Sequence, residues 1–454
     1  MVSKINIKSF FSIVISKFVL KISKTFLKGG SNFPGKIALK FDKNILKVIS
    51  KDYKTIIVTG TNGKTTTTGM TFNIFKQKGY DVITNNTGAN MLPGIVSCFV
   101  ENYNFFKDKD TNKIAILEVD EANVKFITEH IKPEIITITN LFRDQLDRYG
   151  EVYTTLEKIL EGVKNTPKST LILNGDESLL GNLSLENPVL YYGFNKFNQG
   201  DKTIELNADA KFCKVCKAPY KYNFITYNHL GDFFCDNCGY KKPELNYAIE
   251  DIVKLTSEGS SFIINHNEFF IPQSGTYNIY NALCAYSISK FFNIEDTLIG
   301  NSLSKQDSSF GRQEVLNIED KKVNIILVKN PAGYNQALDT ISLNKSQMSL
   351  AFLLNDNYAD GRDISWIWDV NFHKLGSLSI EEILIGGDRL YDMAVRLKIS
   401  GLDPHSFKLS DTYNDMLNNI VECTSDEIYV LATYTAMINF RKHLHSKGYI
   451  KKLW

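Results

Sequence analysis

A chain of 454 residues is too long for one ordinary core, and at roughly 100–200 residues per domain it predicts two or three. Its 43% hydrophobic and 22% charged content is that of a globular protein and excludes extended disorder. A formal net charge of +2 supplies no basic footprint, so composition makes no case for a nucleic-acid binder.

The chain opens with an apolar stretch over residues 9–20. Lys17, Lys21, Lys24 and Lys28 interrupt the run of about 20 apolar residues that a membrane span needs, and no small-residue cleavage site follows. These lysines fall on one helical face, with Phe11, Ile15, Phe18 and Ile22 on another. Residues 1–49 therefore read as a basic amphipathic helix and a lead-in. Two placements fit it, packing on its own domain or resting on an acidic membrane surface.

Beyond it, β-branched runs at 55–59, 113–119, 134–139 and 169–173 are each followed by a helical pattern. That alternation predicts an α/β unit with a parallel sheet. Its first crossover helix starts near Lys64 and a second covers 121–130. Around 207–244 the texture turns to cysteine, aromatic and turn residues, as in an inserted module, and a helix at 276–292 restores the α/β pattern. The first unit is placed at 50–309. A smaller α/β unit follows at 310–454, with strands at 323–328, 349–354, 382–385 and 427–431 and helices after Pro331 and Gly387.

Gly60-Thr61-Asn62-Gly63-Lys64-Thr65-Thr66 joins the first strand to its helix. Glycines let backbone amides crowd an anion, and the helix N-terminus adds its positive dipole end. Lys64 is expected on the β- and γ-phosphates of ATP and the Thr65 hydroxyl on Mg²⁺. Such an ion also needs a carboxylate at a neighbouring strand end; Glu118 is the candidate and Glu121 the next, either of which would otherwise cap a helix.

Cys213 and Cys216, then eighteen residues, then Cys235 and Cys238 have the spacing of a Zn²⁺ ribbon. Four thiolates leave no open position, so the metal's role would be structural; disulfides or a redox role are the alternatives. Cys98, Cys284 and Cys423 are scattered, as suits a reducing compartment. His229 and His266 read as core or surface residues. Asp356, Asp360 and Asp363 cluster with Arg362 after a strand of the second unit, where parallel sheets place function.

The loop GTNGKTT resembles the phosphate loop of the Mur ligase superfamily, which includes folylpolyglutamate synthetase. Thr139-Asn140-Leu141 with Asp144 to Asp147 resembles that family's TNLxxDHLD segment, Asn174-Gly175-Asp176 its NxDD turn, and residues 275–281 its GxHNxxN segment. The resemblance implies an ATP-dependent ligase with Asn140, Asn278 and Asn281 at the nucleotide, the last two at adenine, and Glu118 on magnesium. Gln145 stands where many relatives carry a second metal's histidine. Asn330-Pro331-Ala332-Gly333 lies where amino-acid-adding members carry DYAHTP, and only about 50 residues precede the loop, too few for a UDP-sugar domain.

These departures, the cysteine insert and the stretch LLNDNYADGRDISWIWD at 353–369 resemble the MurT branch, the synthetase subunits of lipid II isoglutaminyl synthase. That branch implies amidation of the D-glutamate α-carboxylate of lipid II, with ammonia from a GatD-type glutaminase partner. It implies work in the cytoplasm at the inner face of the membrane. It also implies an aspartate lent to the partner's Cys-His pair, with Asp360 or Asp363 favoured over Asp356. Two other readings compete: an amino-acid-adding ligase of the same superfamily, and a zinc-ribbon nucleotide-binding regulator without catalysis.

Overall fold

The computed structural model describes residues 6–23, 32–85, 89–105, 112–143, 152–198, 209–306 and 312–451. Three helices precede the first strand: α1 (Ile7–Ile22), α2 (Phe33–Phe41) and α3 (Ile45–Ile49). They pack on one another and on a later helix, so the single expected helix is the outermost member of a helical layer.

The first sheet begins with β1 (Lys54–Thr59), followed by α4 (Lys64–Gln77), β2 (Asp81–Ile83), α5 (Leu92–Asn102), β3 (Lys113–Glu118), α6 (Val124–Thr128), β4 (Ile135–Ile138), α7 (Val152–Lys164), β5 (Thr170–Asn174) and β6 (Val189–Phe194). The inserted hairpin β7 (Lys221–Tyr227) and β8 (Leu230–Phe234) stands apart as its own two-stranded sheet. β9 (Tyr247–Thr256), β10 (Gly259–Ile264) and β11 (Asn267–Ile271) complete the first sheet, and α8 (Thr276–Phe291) and α9 (Asp296–Leu303) cover it. Its order is β11-β10-β9-β6-β5-β4-β1-β3-β2, parallel from β2 to β9 and antiparallel at the β10 and β11 edge. The antiparallel edge mixes exposed and buried positions, unlike the continuous burial of β3, β4 and β5. Such half-wet strands lack the apolar run that announces a parallel one.

The period-two alternation of β1 sends Ile56 and Val58 to a core under α4 and α8, and Ile57 to a second core with Ile95, Phe99 and the N-terminal helices. The helix expected over 121–130 is instead a 3₁₀ turn, Glu121–Asn123, followed by the five residues of α6. Thr128 turns its hydroxyl back onto the Val124 carbonyl at 3.0 Å, and Pro133 prevents continuation.

The second sheet runs through β12 (Arg312–Ile318), β13 (Lys321–Leu327), α10 (Pro331–Ile341), β14 (Met348–Leu353), β15 (Ile380–Gly386), α11 (Leu390–Ile399), β16 (Phe407–Ser410), α12 (Tyr413–Val421), β17 (Glu427–Ala432) and α13 (Tyr434–Ser446). Its order is β12-β13-β17-β14-β15-β16, parallel except at β12. Leu350 and Phe352 face one core and Ala351 and Leu353 the other. Loops at the carboxyl ends of both sheets meet, and that junction holds the candidate site.

Candidate functional site

β1 lies between β3 and β4, at the point where the strand order reverses, so the loop after it opens into a crevice. The loop's shape depends on two glycines in the left-handed region, Gly60 at φ 117° and Gly63 at φ 84°. A Cβ on Gly60 would lie 2.4 Å from Thr139 Oγ1, and one on Gly63 would lie 2.1 Å from Asn281 Oδ1. No side chain fits at either place.

The segment after β4 clamps this loop from below. The Asn62 amide donates to Asn140 Oδ1 at 2.8 Å, and Asn140 Nδ2 returns a bond to the Asn62 carbonyl at 3.1 Å. Thr139 Oγ1 donates to that same carbonyl at 2.7 Å, and Thr61 Oγ1 exchanges bonds with the Phe142 backbone. Asn140 therefore acts by fixing the loop. Thr139 shares this work and is a residue sequence reasoning missed, although its place in the TNL motif was the available signal. Asp144, Gln145 and Asp147, the other residues of that motif, lie outside the described residues.

Asn278 and Asn281 sit on the first turns of α8, both buried. Asn278 Nδ2 donates to the Ser274 carbonyl at 2.8 Å, and Asn281 lies over Gly63 with its Oδ1 accepting from Thr67 Oγ1 at 3.4 Å. The structure thus brings Asn281 against the phosphate loop, with Asn278 behind it accepting from Asn281 Nδ2 at 3.2 Å. Beside them a cleft of about 360 Å³ opens between Gly275 and Thr276, the Thr226–Asn228 end of the inserted hairpin, and Asn335, Gln336 and Thr340 of α10.

Lys64 is buried at the N-terminus of α4, its ammonium bonded to the Gly60 carbonyl and to Glu121 Oε1 at 2.8 Å. Burial pulls its pKa down, but Glu121 and Glu118 more than reverse that, so the pKa lies above the ordinary lysine value and the group stays charged. Asp120, not Glu118 or Glu121, caps the turn after β3, accepting from the Ala122 amide at 3.2 Å. Both glutamates are thereby left for the phosphate loop. Glu118 ends β3 with its backbone pinned by Asn85 at 3.0 and 2.8 Å and its Oε1 accepting from Asn90 at 3.3 Å. With the Thr65 hydroxyl it offers hard oxygen donors, the set that suits Mg²⁺.

The second domain reaches this loop directly. Asn62 and Asn330 exchange side-chain amide bonds at 3.4 and 3.1 Å, and Asn330 caps α10 by accepting from the Gly333 amide at 2.8 Å. Burial raises the Tyr434 hydroxyl pKa, and the charges of Asp360 and Glu118 raise it further.

The three loop aspartates differ sharply. Asp360 is buried, one oxygen accepting from the Thr435 amide at 2.7 Å and the other from the Thr435 hydroxyl and, at 3.2 Å, the Asn357 amide. Burial raises its pKa. One of the two favoured positions thus spends its carboxylate tying its loop to Thr435, the residue after Tyr434 at the start of α13. Asp356 is paired with Arg389 at 2.9 Å. Asp363 is exposed; its side chain accepts from the Ser365 amide at 2.8 Å, and hydrogen bonds from Ser365 hold its pKa below the usual carboxylate value.

In the insert, the Sγ atoms of Cys213, Cys216, Cys235 and Cys238 lie within 4.8 Å of one another, the closest pairs 3.4 and 3.6 Å apart. A tetrahedron with metal–sulfur bonds of about 2.3 Å has edges of about 3.8 Å, whereas a disulfide requires about 2.05 Å. The thiols therefore fit one four-coordinate ion and do not fit paired disulfides. The Asn237 side chain and the Ala218 amide lower the Cys216 pKa to about 6, which favours the ligating thiolate. His229 is fully buried against Glu177 at 2.8 Å, and Glu177 also accepts from the Leu141 amide at 3.1 Å. His266 is exposed, with its Nδ1 3.2 Å from Glu250. Asp176 of the NGD turn pairs with Lys242 at 2.6 Å. The turn after β5 therefore ties the insert to the segment that clamps the phosphate loop.

Residues 58–240 match the Mur ligase middle domain and residues 327–437 the MurT ligase C-terminal domain. Among solved structures, a pseudomurein peptide ligase type C from Methanothermus fervidus aligns with a TM-score of 0.67 at 20% identity, covering 89% of this chain and 80% of that one. A folylpolyglutamate synthase from Thermotoga maritima aligns at 0.56 and 14% identity, covering 90% and 94%. The MurT subunit of lipid II isoglutaminyl synthase (glutamine-hydrolyzing) from Streptococcus pneumoniae is 41% identical over 93% of this chain and 94% of its own length. The subunit of the same name from Staphylococcus aureus is 32% identical over 86% and 88%. On those identities, and with an ATP-dependent ligase fold around its phosphate loop, the chain belongs to the MurT family of lipid II isoglutaminyl synthase subunits.

Proposed function

We propose that this chain is the ATP-consuming half of a glutamine-dependent amidotransferase that converts the D-glutamate α-carboxylate of lipid II to D-isoglutamine. The observation that carries the reading is the charged Lys64 in a rigid, glycine-shaped loop faced by Glu118, Glu121 and the second domain's Asn330. A carboxylate is a poor acyl donor because its leaving group would be oxide. Attack of a carboxylate oxygen on the γ-phosphorus, with ADP leaving, gives an acyl phosphate. Ammonia then adds to the carbonyl carbon, a proton is lost, and phosphate departs to leave the amide.

Lys64 and the amides of residues 60–66 bind the terminal phosphates and stabilise charge moving onto the transferred group. To do so Lys64 exchanges Glu121 for phosphate oxygens, and its burial away from water makes the attraction to that new partner strong. The cleft beside Gly275 and Thr276 receives the base. Thr65 and Glu118 would hold Mg²⁺, which supplies neutralisation of phosphate charge. Zn²⁺ would sit on the four cysteines as a structural ion.

Ammonia must arrive unprotonated, so delivery from a docked glutaminase of the GatD type is favoured over capture from water. The surface beside the acidic loop suits such a protein: Tyr358, Trp368 and the α11 stripe Tyr391, Val395 and Ile399 are all exposed. Asp363 is the aspartate we assign to the partner's Cys-His pair, because it alone of the three is exposed without an arginine partner holding it. A charged carboxylate there would fix the histidine tautomer and stabilise its imidazolium.

The test is the product's mass. This chain, its glutaminase partner, lipid II, glutamine and ATP should give a product lighter by the difference between OH and NH₂. A gain of an amino-acid residue would instead make it an amino-acid-adding ligase, and no ATP-dependent change would remove the catalytic reading.

A further inference from the structure

α1 inverts the usual amphipathic arrangement. Its buried face is Ser9, Ser12, Ile13 and Ser16. Ser9 Oγ donates to the buried Asp42 at 2.6 Å and Ser12 Oγ to the Ala38 carbonyl at 2.9 Å, so hydroxyls seat the helix on α2. The outward face carries Ile7, Phe10, Phe11, Val14, Phe18 and Ile22, between 41% and 77% exposed. At 100° per residue these six side chains fall within an arc of about 120° opposite the serines. Phe33 and Phe41 of α2 are also exposed, at 50% and 43%. A helix packed only for its own domain would turn its phenylalanines the other way.

Charge points to what covers this face. The first 54 residues contain twelve lysines and two aspartates, while the whole chain nets only +2. This layer is therefore strongly cationic on an otherwise acidic molecule. By helical spacing Lys17 and Lys21 fall along one border of the apolar arc and Lys8 along the other, and Lys17 donates to the Glu101 carbonyl at 3.4 Å, which holds a cation at that border. No helix of the described residues is long and apolar enough to cross a membrane. A convex apolar strip bordered by lysines suits shallow immersion among lipid headgroups.

We propose that α1 docks this protein on the surface of an anionic phospholipid bilayer, its phenylalanine face immersed at the headgroup boundary and the surrounding lysines over acidic lipid phosphates. The inference rests on this helical layer and not on the amidation chemistry. It extends the proposed function by placing the enzyme on the surface where a lipid-linked substrate resides, converting a search in volume into a search in a plane.

The test uses the full chain with its glutaminase partner and vesicles containing neither ATP nor lipid II. Vesicles of phosphatidylcholine with phosphatidylglycerol should co-sediment the complex. Phosphatidylcholine alone should bind it at least about tenfold more weakly, and high salt should release it. The double variant Phe11→Ser, Phe18→Ser should lose at least about tenfold in vesicle affinity, with an unchanged thermal midpoint because neither ring is part of the core. Equal binding of variant and parent, or no binding to acidic vesicles, overturns the proposal. So does a variant that sheds its partner subunit or changes oligomeric state, since the face would then be a protein interface. Product mass with a soluble stem-peptide substrate reads the amidation separately, so either idea can fail alone.

Discussion

At the scale of single residues, the site turns on Lys64 being buried and still charged. Glu121 and Glu118 make that tolerable, because a buried ammonium without them would shed its proton. Lys64→Ala should lower ATP turnover by at least about 10²-fold and, by stranding the buried Glu121, lower the melting temperature as well; unaltered turnover in a coupled ADP assay would contradict this. The aspartates divide by environment. Asp363→Asn should impair glutamine-fed amidation by about 10²-fold or more and spare ammonia-fed amidation. Asp360→Asn should lower the melting temperature and depress both, because it breaks the bonds to Thr435 that shape the loop. The placement of the loop and its lysine between a strand and a helix, and of Glu118 at a strand end, was legible from residue type and spacing. The choice among the three aspartates was not, since it depends on burial and on Thr435, 75 positions away from Asp360.

At the scale of elements, the inserted module acts as a brace. Its hairpin carries His229 into a buried pair with Glu177, which holds the Leu141 amide beside Asn140 and the phosphate loop. On the zinc-ribbon reading, Cys216→Ser or strong chelation should unfold the insert, because a metal on the four thiolates would contribute on the order of 10 kcal/mol. ATP affinity should then fall although no cysteine touches the nucleotide; nucleotide titration with and without chelator reads it. His229→Ala should cost about 3–5 kcal/mol by stranding Glu177, read as a lower melting temperature.

The same pair gives a pH signature. Burial pulls the His229 pKa down, but Glu177 outweighs it and the folded value lies above the ordinary 6.5. The folded state then holds a proton that the unfolded state releases, so stability falls as pH rises. The contribution is fully present below about pH 6.5 and is lost as pH passes through the raised value. The melting-temperature gap between the parent and His229→Gln should narrow with rising pH; a gap that widens contradicts the assignment. Cysteine spacing made the four-cysteine cluster readable. The brace was hidden because its partners lie 52 residues apart and neither belongs to a local pattern. The short α6 was misjudged as a longer helix because periodicity outruns the stop set by Thr128 and Pro133.

At the scale of the whole molecule, two sheets present their carboxyl ends to one another and the amide pair Asn62–Asn330 latches them. Asn330→Ala removes that latch and the cap on α10. It should cost about 1–2 kcal/mol in bringing the domains together, read as a several-fold lower kcat/KM with ADP binding to the first domain nearly unchanged. Alternating strand and helix signals foretold both α/β units. The antiparallel edge and the helices α2 and α3 escaped because half-exposed strands and helices of nine and five residues carry little periodic signal.

The central claim is that the substrate carboxylate becomes reactive by taking the γ-phosphoryl group of ATP. Lipid II carrying a heavy-oxygen label in the D-glutamate α-carboxylate should pass one labelled oxygen to the inorganic phosphate released with each amide formed. Unlabelled phosphate alongside normal amide formation would contradict an acyl phosphate and with it the account of the Lys64 loop.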